Sequence, residues 1–218
     1  IEMYGKCGDM TYAQELLDAT TPRNVGMWDA LIRGYARQME FTLVFYSLKR
    51  MRAEGIQPDG ILFLNILNVC SHLSLITTAE NIFQTMIEDF CIIPTIKHYT
   101  CMVDLFGRAG RIDKAMVMLE KVPDSDRLPM WLALLGACWK WVNVELGQQA
   151  FESVLLIDKK LAPVYICMRN IYVAAGMHAK AREIEDLRVK NGAWDVSSVD
   201  IWDTFQELDE KVFIPCYY

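Results

Sequence analysis

Cysteine and histidine are the residues of this sequence best suited to metal or redox chemistry. The chain has seven cysteines and three histidines, and no two cysteines form a C-x-x-C pair. Cysteines scattered through apolar helical stretches favour reduced, buried thiols that act as small hydrophobic groups over a zinc or redox site. The residues concerned are Cys7, Cys70, Cys91, Cys101, Cys138, Cys167, Cys216, His72, His98 and His178.

Other catalytic motifs are also missing from the sequence. It contains no G-x-x-x-x-G-K-[ST] loop for a nucleoside triphosphate, and the segment GRAGR at 107–111 is too short and is predicted to be a turn. No G-x-S-x-G segment surrounds a serine. We therefore predict a chain with no catalytic residues, no cofactor and no metal.

Composition limits the remaining classes. The 218 residues are 53% hydrophobic, which is enough for a well-buried core, and no apolar run reaches the roughly 20 residues of a membrane span. A net charge of −6 contrasts with the basic face of most nucleic-acid binders. The chain starts at Ile1 inside a patterned segment, so we expect a fragment whose leader peptide, if any, lies upstream.

The main signal is an internal repeat of about 35 residues. Aromatic residues that begin a helical pattern recur at intervals of 35, 36, 32 and 34 residues. They are Trp28, Phe63, Tyr99, Trp131 and Tyr165.

The unit 25–59 shows the common pattern of these repeats. Trp28 and the apolar residues that follow at helical spacing predict a first amphipathic helix, and a polar break at 38–40 separates it from a second. Gly55 is predicted to end the second helix in a left-handed conformation, and Pro58 prevents its continuation. Each unit is therefore a helical hairpin.

One hairpin has two apolar faces and cannot bury both alone, so neighbours must stack. The predicted fold is all-α, a right-handed superhelical α-solenoid of antiparallel helix-turn-helix repeats with a groove lined by the first helices. The alternative, a single irregular helical bundle, does not explain five anchors at nearly constant spacing.

The segments WDALIRGYARQMEFTLVFYSLKRMRAEGIQPD, HYTCMVDLFGRAGRIDKAMVMLEKVP and WLALLGACWKWVNVELGQQA resemble pentatricopeptide repeat proteins. The order of unit lengths resembles the PLS subclass with its E1 and E2 motifs. On this resemblance the chain comprises a partial S-type repeat (1–24), a P-type (25–59), an L-type (60–95), an S-type (96–127), an E1-like (128–161) and an E2-like repeat (162–195), and a divergent tail (196–218) with a possible capping helix at 200–208.

The resemblance implies a plant protein of mitochondria or chloroplasts that binds single-stranded RNA. Members with E motifs select sites for C-to-U editing, and a zinc-dependent DYW domain, in the same chain or in a partner, deaminates the cytidine. Such a deaminase needs H-x-E and P-C-x-x-C, and this chain has neither. The resemblance therefore implies a specificity factor that recruits its deaminase in trans.

In that family, the residue after the aromatic anchor and the last residue of each repeat contact a base. These positions are Asp29 and Asp59 in the 25–59 repeat and Leu64 and Thr95 in the 60–95 repeat. In the 96–127 repeat they are Thr100 and Arg127, or Thr100 and Asp126 if the gap is placed one residue earlier. The truncated first unit contributes only its last residue, Asn24. In the family pattern, threonine with a terminal aspartate selects guanine. Asp29 only accepts hydrogen bonds and repels phosphate, and Leu64 has no hydrogen-bonding group.

Further candidates could meet phosphate or a protein partner. The phosphate candidates, which are otherwise solvated basic residues, are Arg33, Arg37, Lys97, Arg108 and Arg111. Trp139 and Trp141 end the first helix of the E1-like unit, and two residues so spaced cannot share one helix face, so one of them is a candidate for partner docking.

Two functions are consistent with this sequence. The first is the editing specificity factor just described. The second is a scaffold within an organellar ribonucleoprotein with a degenerate base code, which the acidic charge, Asp29 and Leu64 favour.

Overall fold

The computed structural model describes Met3 and residues 9–194, and all regular structure within them is helical. Cys7, Cys216 and the tail 196–218, including the predicted capping helix, lie outside the described residues. The α-helices are α1 (Met10–Ala19), α2 (Val25–Arg37), α3 (Phe41–Ala53), α4 (Gly60–His72), α5 (Ile76–Glu88), α6 (Ile96–Arg108), α7 (Ile112–Glu120), α8 (Leu128–Trp141), α9 (Val144–Ile157), α10 (Ala162–Ala174) and α11 (His178–Lys190). A short 3-10 helix, Asp124–Asp126, precedes α8.

The chain divides into two compact units, and the boundary along the sequence falls between residues 98 and 99. In the first unit, α2 pairs with α3 and α4 with α5, and the first helices α2 and α4 also pack against each other. The anchors Trp28 and Phe63 are fully buried in this packing. The aromatic positions predicted from the sequence therefore form the core of this unit.

In the second unit, α8 pairs with α9 and α10 with α11, and α8 and α10 pack together as α2 and α4 do. Tyr165 is fully buried, and its ring meets Phe151 edge-on at 5.3 Å between centroids. Trp131 is also buried, whereas Tyr99 is half-buried. The predicted hairpins are thus present on both sides of the division.

A left-handed residue joins the two helices of every hairpin in the described part of the chain. In the first hairpin the next residue, Glu40, donates its amide N–H to the carbonyl of Tyr35 at 2.9 Å. The other four turns have the corresponding hydrogen bond. This is the Schellman ending of a helix. The left-handed residues are Met39, Ser74, Gly110, Val142 and Gly176.

Burial of the thiols follows the prediction at four positions. Cys70, Cys101, Cys138 and Cys167 are buried, and burial raises the pKa of three of these thiols, those of Cys70, Cys138 and Cys167, to about 12. The prediction was wrong for Cys91, which is exposed because it lies in the turn after α5 with φ +54 rather than in a helix.

The described residues contain neither a membrane-spanning helix nor a metal-binding cluster. None of their helices combines the length and apolar character needed to cross a membrane. Within residues 9–194, histidine, cysteine and acidic side chains form no cluster of three that is arranged to hold a metal ion.

The turn between α8 and α9 predicts a stability difference. Val142 is β-branched and has φ +52, a conformation that costs about 1–2 kcal/mol for a residue with a Cβ. Val142→Gly relieves this strain, but the greater entropy of glycine in the unfolded chain offsets part of the gain. We therefore expect the variant to raise the free energy of unfolding by about 0.5–1 kcal/mol, as measured by urea denaturation.

Gly176→Val is the matched reverse variant, since Gly176 has φ +74 and an added Cβ would meet nothing within 4 Å. It should lower the free energy of unfolding by about the same amount. A lower unfolding midpoint for Val142→Gly would show that the left-handed turn is wrongly assigned.

Candidate functional site

The predicted terminal base-reading residues stand at the starts of first helices. Asn24 is the N-cap of α2, and its side chain accepts from the amide of Met27 at 3.0 Å. Asp59 is the N-cap of α4, and its carboxylate accepts from the amide of Leu62 at 2.8 Å. Each residue thus satisfies an amide that would otherwise lack a partner at the helix start. The same position is both a helix cap and a candidate for base reading.

Thr95, which immediately precedes α6, is held by a histidine. The amide and hydroxyl of Thr95 lie 3.1 and 2.7 Å from Nδ1 of His98, whose Nε2 lies 2.8 Å from the carbonyl oxygen of Gly60. An amide can only donate and a carbonyl can only accept, so His98 is neutral and carries its proton on Nε2. His98 therefore ties the start of α6 to the start of α4.

Gly60 allows this close approach of the histidine ring. A Cβ at Gly60 would lie 3.3 Å from Cε1 of His98, tighter than ordinary van der Waals contact. His98 is 2% exposed. Burial lowers the pKa of His98 below its ordinary value of 6.5, and the hydrogen bond to Gly60 opposes this effect.

The start of α8 differs from the starts of α2 and α4. Arg127 occupies the N-cap position but has helical backbone angles, and its side chain turns back to donate to the carbonyl of Val122 at 2.7 Å and to pair with Asp124. Asp126 is exposed in the 3-10 helix just before it. Of the two predicted alternatives, Asp126 therefore presents the open polar group.

The positions after the aromatic anchors are less exposed. Asp29 lies on α2, where its side chain is 18% exposed and is paired with Arg33 at 3.1 Å. Leu64 is half-buried, and Thr100 is only 5% exposed. The structure thus keeps Thr100 below the surface, while Asp29 remains partly accessible.

The five candidate phosphate contacts differ in how available their side chains are. Arg33 pairs with Asp29, and Arg108 pairs with Asp104 at 2.9 Å on α6. Arg37 is half-buried at the end of α2. Lys97 and Arg111 are exposed and form no ion pair among the described residues, so they are the most available cations of the set.

The two tryptophans of α8 are both partly exposed, Trp139 at 42% and Trp141 at 52%. Trp141 nevertheless has a role within the chain, because its indole N–H donates to the carbonyl of Gly107 at 3.0 Å. Lys140 donates to the carbonyl of Arg108 at 3.2 Å. These two side chains cap the C-terminal carbonyls of α6, which have no partner within their own helix.

α6 and α8 also approach each other closely at Gly107. A Cβ at Gly107 would lie 2.8 Å from the Cβ of Ala137, a distance that real side chains do not adopt. At the turn after α6, the ring of Trp141 lies 3.5 Å from where a Cβ of Gly110 would stand. The short GRAGR segment is therefore a packing surface for the next repeat.

Sequence reasoning missed two residues of this region, His98 and Asn65. His98 stands three residues after Thr95, the spacing of a capping box, which could have indicated its contact. Asn65 on α4 donates through Nδ2 to Oδ1 of Asp29 at 3.0 Å. Its signal is a polar residue directly after Leu64 in a mainly apolar helix, which does not by itself identify the partner.

Comparison with known families agrees with this geometry. The protein-family model described as a pentatricopeptide repeat domain matches residues 20–72, and the family model described as a PPR repeat matches residues 97–126. The chain contains pentatricopeptide repeats. The first match spans α2, α3 and α4, and the second spans most of α6, all of α7 and the 3-10 helix.

Similar curated proteins come from Arabidopsis thaliana. One pentatricopeptide repeat-containing protein, named as chloroplastic, is 36% identical over 179 residues, which are 81% of this chain and 24% of that protein. A second, named as putative, is 30% identical over 95% of this chain and 48% of its own length. CRR2, also named as chloroplastic, is 33% identical over 88% of this chain and 29% of its own length. The chain thus spans between a quarter and a half of these relatives.

The fold matches solved structures of pentatricopeptide repeat proteins. Maize PPR10 aligns over 95% of this chain and 30% of its own with a TM-score of 0.66 and 20% identity. PPR10 in complex with an 18-nt psaJ RNA element aligns over 98% and 33% with a TM-score of 0.58 and 17% identity. The predicted all-α solenoid of helix-turn-helix repeats is confirmed by this likeness.

His98 predicts a pH dependence of stability. Its lowered pKa means that the unfolded chain binds more protons than the folded chain as the pH falls through about 6.5, so acid destabilises the fold. We expect His98→Gln to reduce the loss of stability between pH 7 and pH 5, because glutamine retains an acceptor for the Thr95 amide without a titrating ring.

The measurement is the midpoint of urea unfolding at several pH values. His178→Gln is the control, since His178 is exposed at the start of α11, and it should keep the wild-type pH profile. Identical profiles for His98→Gln and the wild type would contradict the neutral, buried assignment of His98.

Proposed function

We propose that this chain is part of a sequence-specific single-stranded RNA-binding protein of the PLS subclass with E1 and E2 motifs. The observation that carries the proposal is the polar residue that precedes the first helix of successive repeats at Asn24, Asp59 and Thr95. Single-stranded RNA is read by such side chains through hydrogen bonds to splayed bases. The solved complex of PPR10 with an 18-nt RNA supports the same use of the fold.

Within this proposal, the base-reading groups are the terminal residues together with those that follow the anchors. Asp126 rather than Arg127 supplies the terminal group of the third repeat, since the Arg127 side chain is occupied by Val122 and Asp124. In the family pattern Asp126 pairs with Thr100 to select guanine, and because Thr100 is only 5% exposed the proposal assigns the base contact of this repeat to Asp126. Leu64 contributes no hydrogen bond to a base.

The whole protein is proposed to act as a site-specificity factor for C-to-U editing of organellar RNA, in the chloroplast or the mitochondrion. Relatives named as chloroplastic support an organellar location. The deaminase is proposed to act in trans, as a DYW-type protein or another component of the editing complex recruited by the E-like repeats. Trp139 and Trp141 offer partly exposed aromatic surface on those repeats.

RNA binding is tested through its two most available cations. We expect Lys97→Glu and Arg111→Glu each to weaken binding to single-stranded RNA, because each loses a phosphate contact and adds a negative charge. For single strands, each lost contact should reduce the slope of log affinity against log salt by about 0.7. Lys49→Glu on α3 is the matched charge control, since Lys49 is exposed on a second helix.

The measurement is fluorescence anisotropy with labelled RNA at several salt concentrations. An equal loss of affinity in the Lys49→Glu control would show that net charge, and not a phosphate contact of Lys97 or Arg111, causes the weaker binding. No measurable RNA binding by the wild type at low salt would contradict the proposed function of this chain.

The recruitment proposal requires a test in the full-length protein. We expect a version lacking residues 128–195 still to bind its RNA and to lose editing of the adjacent cytidine in plants that lack the endogenous protein. Trp139→Ser should reduce editing while RNA affinity is retained. Trp139 is the better point variant because Trp141 also caps α6. Normal editing by the deletion variant would rule out recruitment through these repeats.

The alternative is a scaffold within an organellar ribonucleoprotein, which the net charge of −6 favours. A scaffold would co-purify stoichiometrically with a large assembly and show no sequence preference in RNA binding. The two functions therefore differ in base preference and in the effect of deleting 128–195.

A further inference from the structure

The ends of α6 and α8 meet at one edge of the second unit, where their hairpin turns begin. Trp141 donates its indole N–H to the carbonyl of Gly107 at 3.0 Å, and Lys140 donates to the carbonyl of Arg108 at 3.2 Å. We call residues 107–111 and 139–143 together the turn edge. Side chains at the end of α8 therefore cover the turn of the preceding repeat.

The indole ring of Trp141 has a fixed orientation at the turn edge. A Cβ at Gly110 would lie 3.5–3.8 Å from Cε2, Cζ2 and Nε1, which all belong to the N–H edge of the ring. The Nζ of Lys140 lies over the ring, 5.4 Å from its centroid. Trp141 is nevertheless 52% exposed. The N–H edge thus faces the turn after α6, one face meets Lys140, and the opposite face is open to solvent.

Exposure alone does not make a binding site, because single apolar side chains are common on protein surfaces. The charges around Trp141 add a second feature. The turn edge contains Arg108, Arg111 and Lys140 and no carboxylate, although acidic residues outnumber basic ones by 28 to 22 in the whole chain. Arg111 is exposed and has no ion pair among residues 9–194, and Lys140 keeps two N–H donors beyond its bond to α6. An aromatic face is therefore flanked by available cations.

We propose that the open face of Trp141 is a stacking platform for one base of bound single-stranded RNA, with Arg111 and Lys140 contacting the neighbouring phosphates. The proposal rests on the RNA binding proposed above. A nucleotide joins an aromatic base to an anionic phosphate, and proteins that hold single strands combine aromatic platforms with positive charge in the same way. The E1-like repeat then contacts RNA directly.

This contact adds affinity without base selection. The only polar group of the indole is already bonded to Gly107, so it is not available to a base edge. Every base has an aromatic face, so stacking accepts all four. Because the ring is held in place before RNA arrives, little conformational freedom is lost on binding. The platform therefore contributes to binding at a position where the repeat reads no base.

A peptide with acidic and aromatic side chains has related chemistry, but two observations favour RNA at this site. Arg111, which adjoins Gly110 beneath the ring edge, is one of the two most available cations among the phosphate candidates. Trp139 is 42% exposed and, two residues before Trp141, projects from another side of α8. Trp139 thus remains the docking candidate for the deaminase, and Trp141 is assigned to the RNA.

The first test compares RNA affinities of variants by fluorescence anisotropy. The probe is a labelled single strand that the wild-type chain selects from a random RNA pool. We expect Trp141→Leu to weaken binding about tenfold, the effect of losing one stacked base. Trp141→Phe keeps an aromatic face but loses the N–H donated to Gly107, and it should stay within about threefold of the wild type. Trp139→Leu is the matched control on the same helix and should bind like the wild type.

The second test places one abasic nucleotide at each position of the selected strand in turn. We expect one position at which the abasic nucleotide weakens wild-type binding about tenfold, whereas all four bases bind there within about twofold. In Trp141→Leu the same abasic nucleotide should cause no further loss, because the platform and its base act as one pair. Urea unfolding of each variant shows whether the fold is retained.

Three results would overturn the platform while RNA binding stands. The first is the absence of a position that needs a base but accepts any base. The second is an equal loss of affinity in Trp141→Phe and Trp141→Leu, which would leave Trp141 only its role at the end of α6. The third is wild-type RNA affinity in Trp141→Leu with loss of editing by the full-length protein, which would assign the ring to a protein partner. If the wild type selects no RNA at all, the proposed function fails as well.

Discussion

Burial of aromatic and aliphatic side chains between neighbouring first helices is the interaction on which the rest of the molecule depends. A hairpin of two amphipathic helices leaves one apolar face uncovered, and only the next hairpin can cover it. Trp28, Phe63 and Tyr165 are fully buried within the packed hairpins, and burial of a side chain such as Phe63 contributes on the order of 1.5–3 kcal/mol. The same packing aligns the first helices, so polar residues near their starts come within hydrogen-bond distance of the adjacent repeat. The candidate site is therefore a product of the core.

The hairpin turn keeps this alignment constant. In the described hairpins the first helix ends on a left-handed residue, whether glycine is present, as at Gly110 and Gly176, or absent, as at Met39 and Val142. A constant turn geometry gives the second helix the same entry point each time, so one apolar pattern serves every repeat. Where the residue is not glycine, the packing of the hairpin must offset the local conformational cost.

The hairpins could be predicted from the sequence because their signals are local. The spacing from Trp28 and the break at 38–40 correspond to α2 and α3, and Gly55 has the expected left-handed conformation. Side-chain partners were less predictable, because they depend on how one helix registers against another. The contacts of Asn65 with Asp29 and of Trp141 with Gly107 join residues 36 and 34 positions apart, and no local pattern marks them.

The helix caps at Asn24 and Asp59 have a consequence for how such a repeat array can change over time. The residue types that cap helices best are also those that can hydrogen-bond to a base. Exchange between asparagine and aspartate keeps the cap, whereas alanine there costs about 0.5–2 kcal/mol of stability. Stability therefore restricts substitutions at these positions to a few polar residue types. Because each of these types can also hydrogen-bond to a base, a change of RNA target does not require the loss of a helix cap.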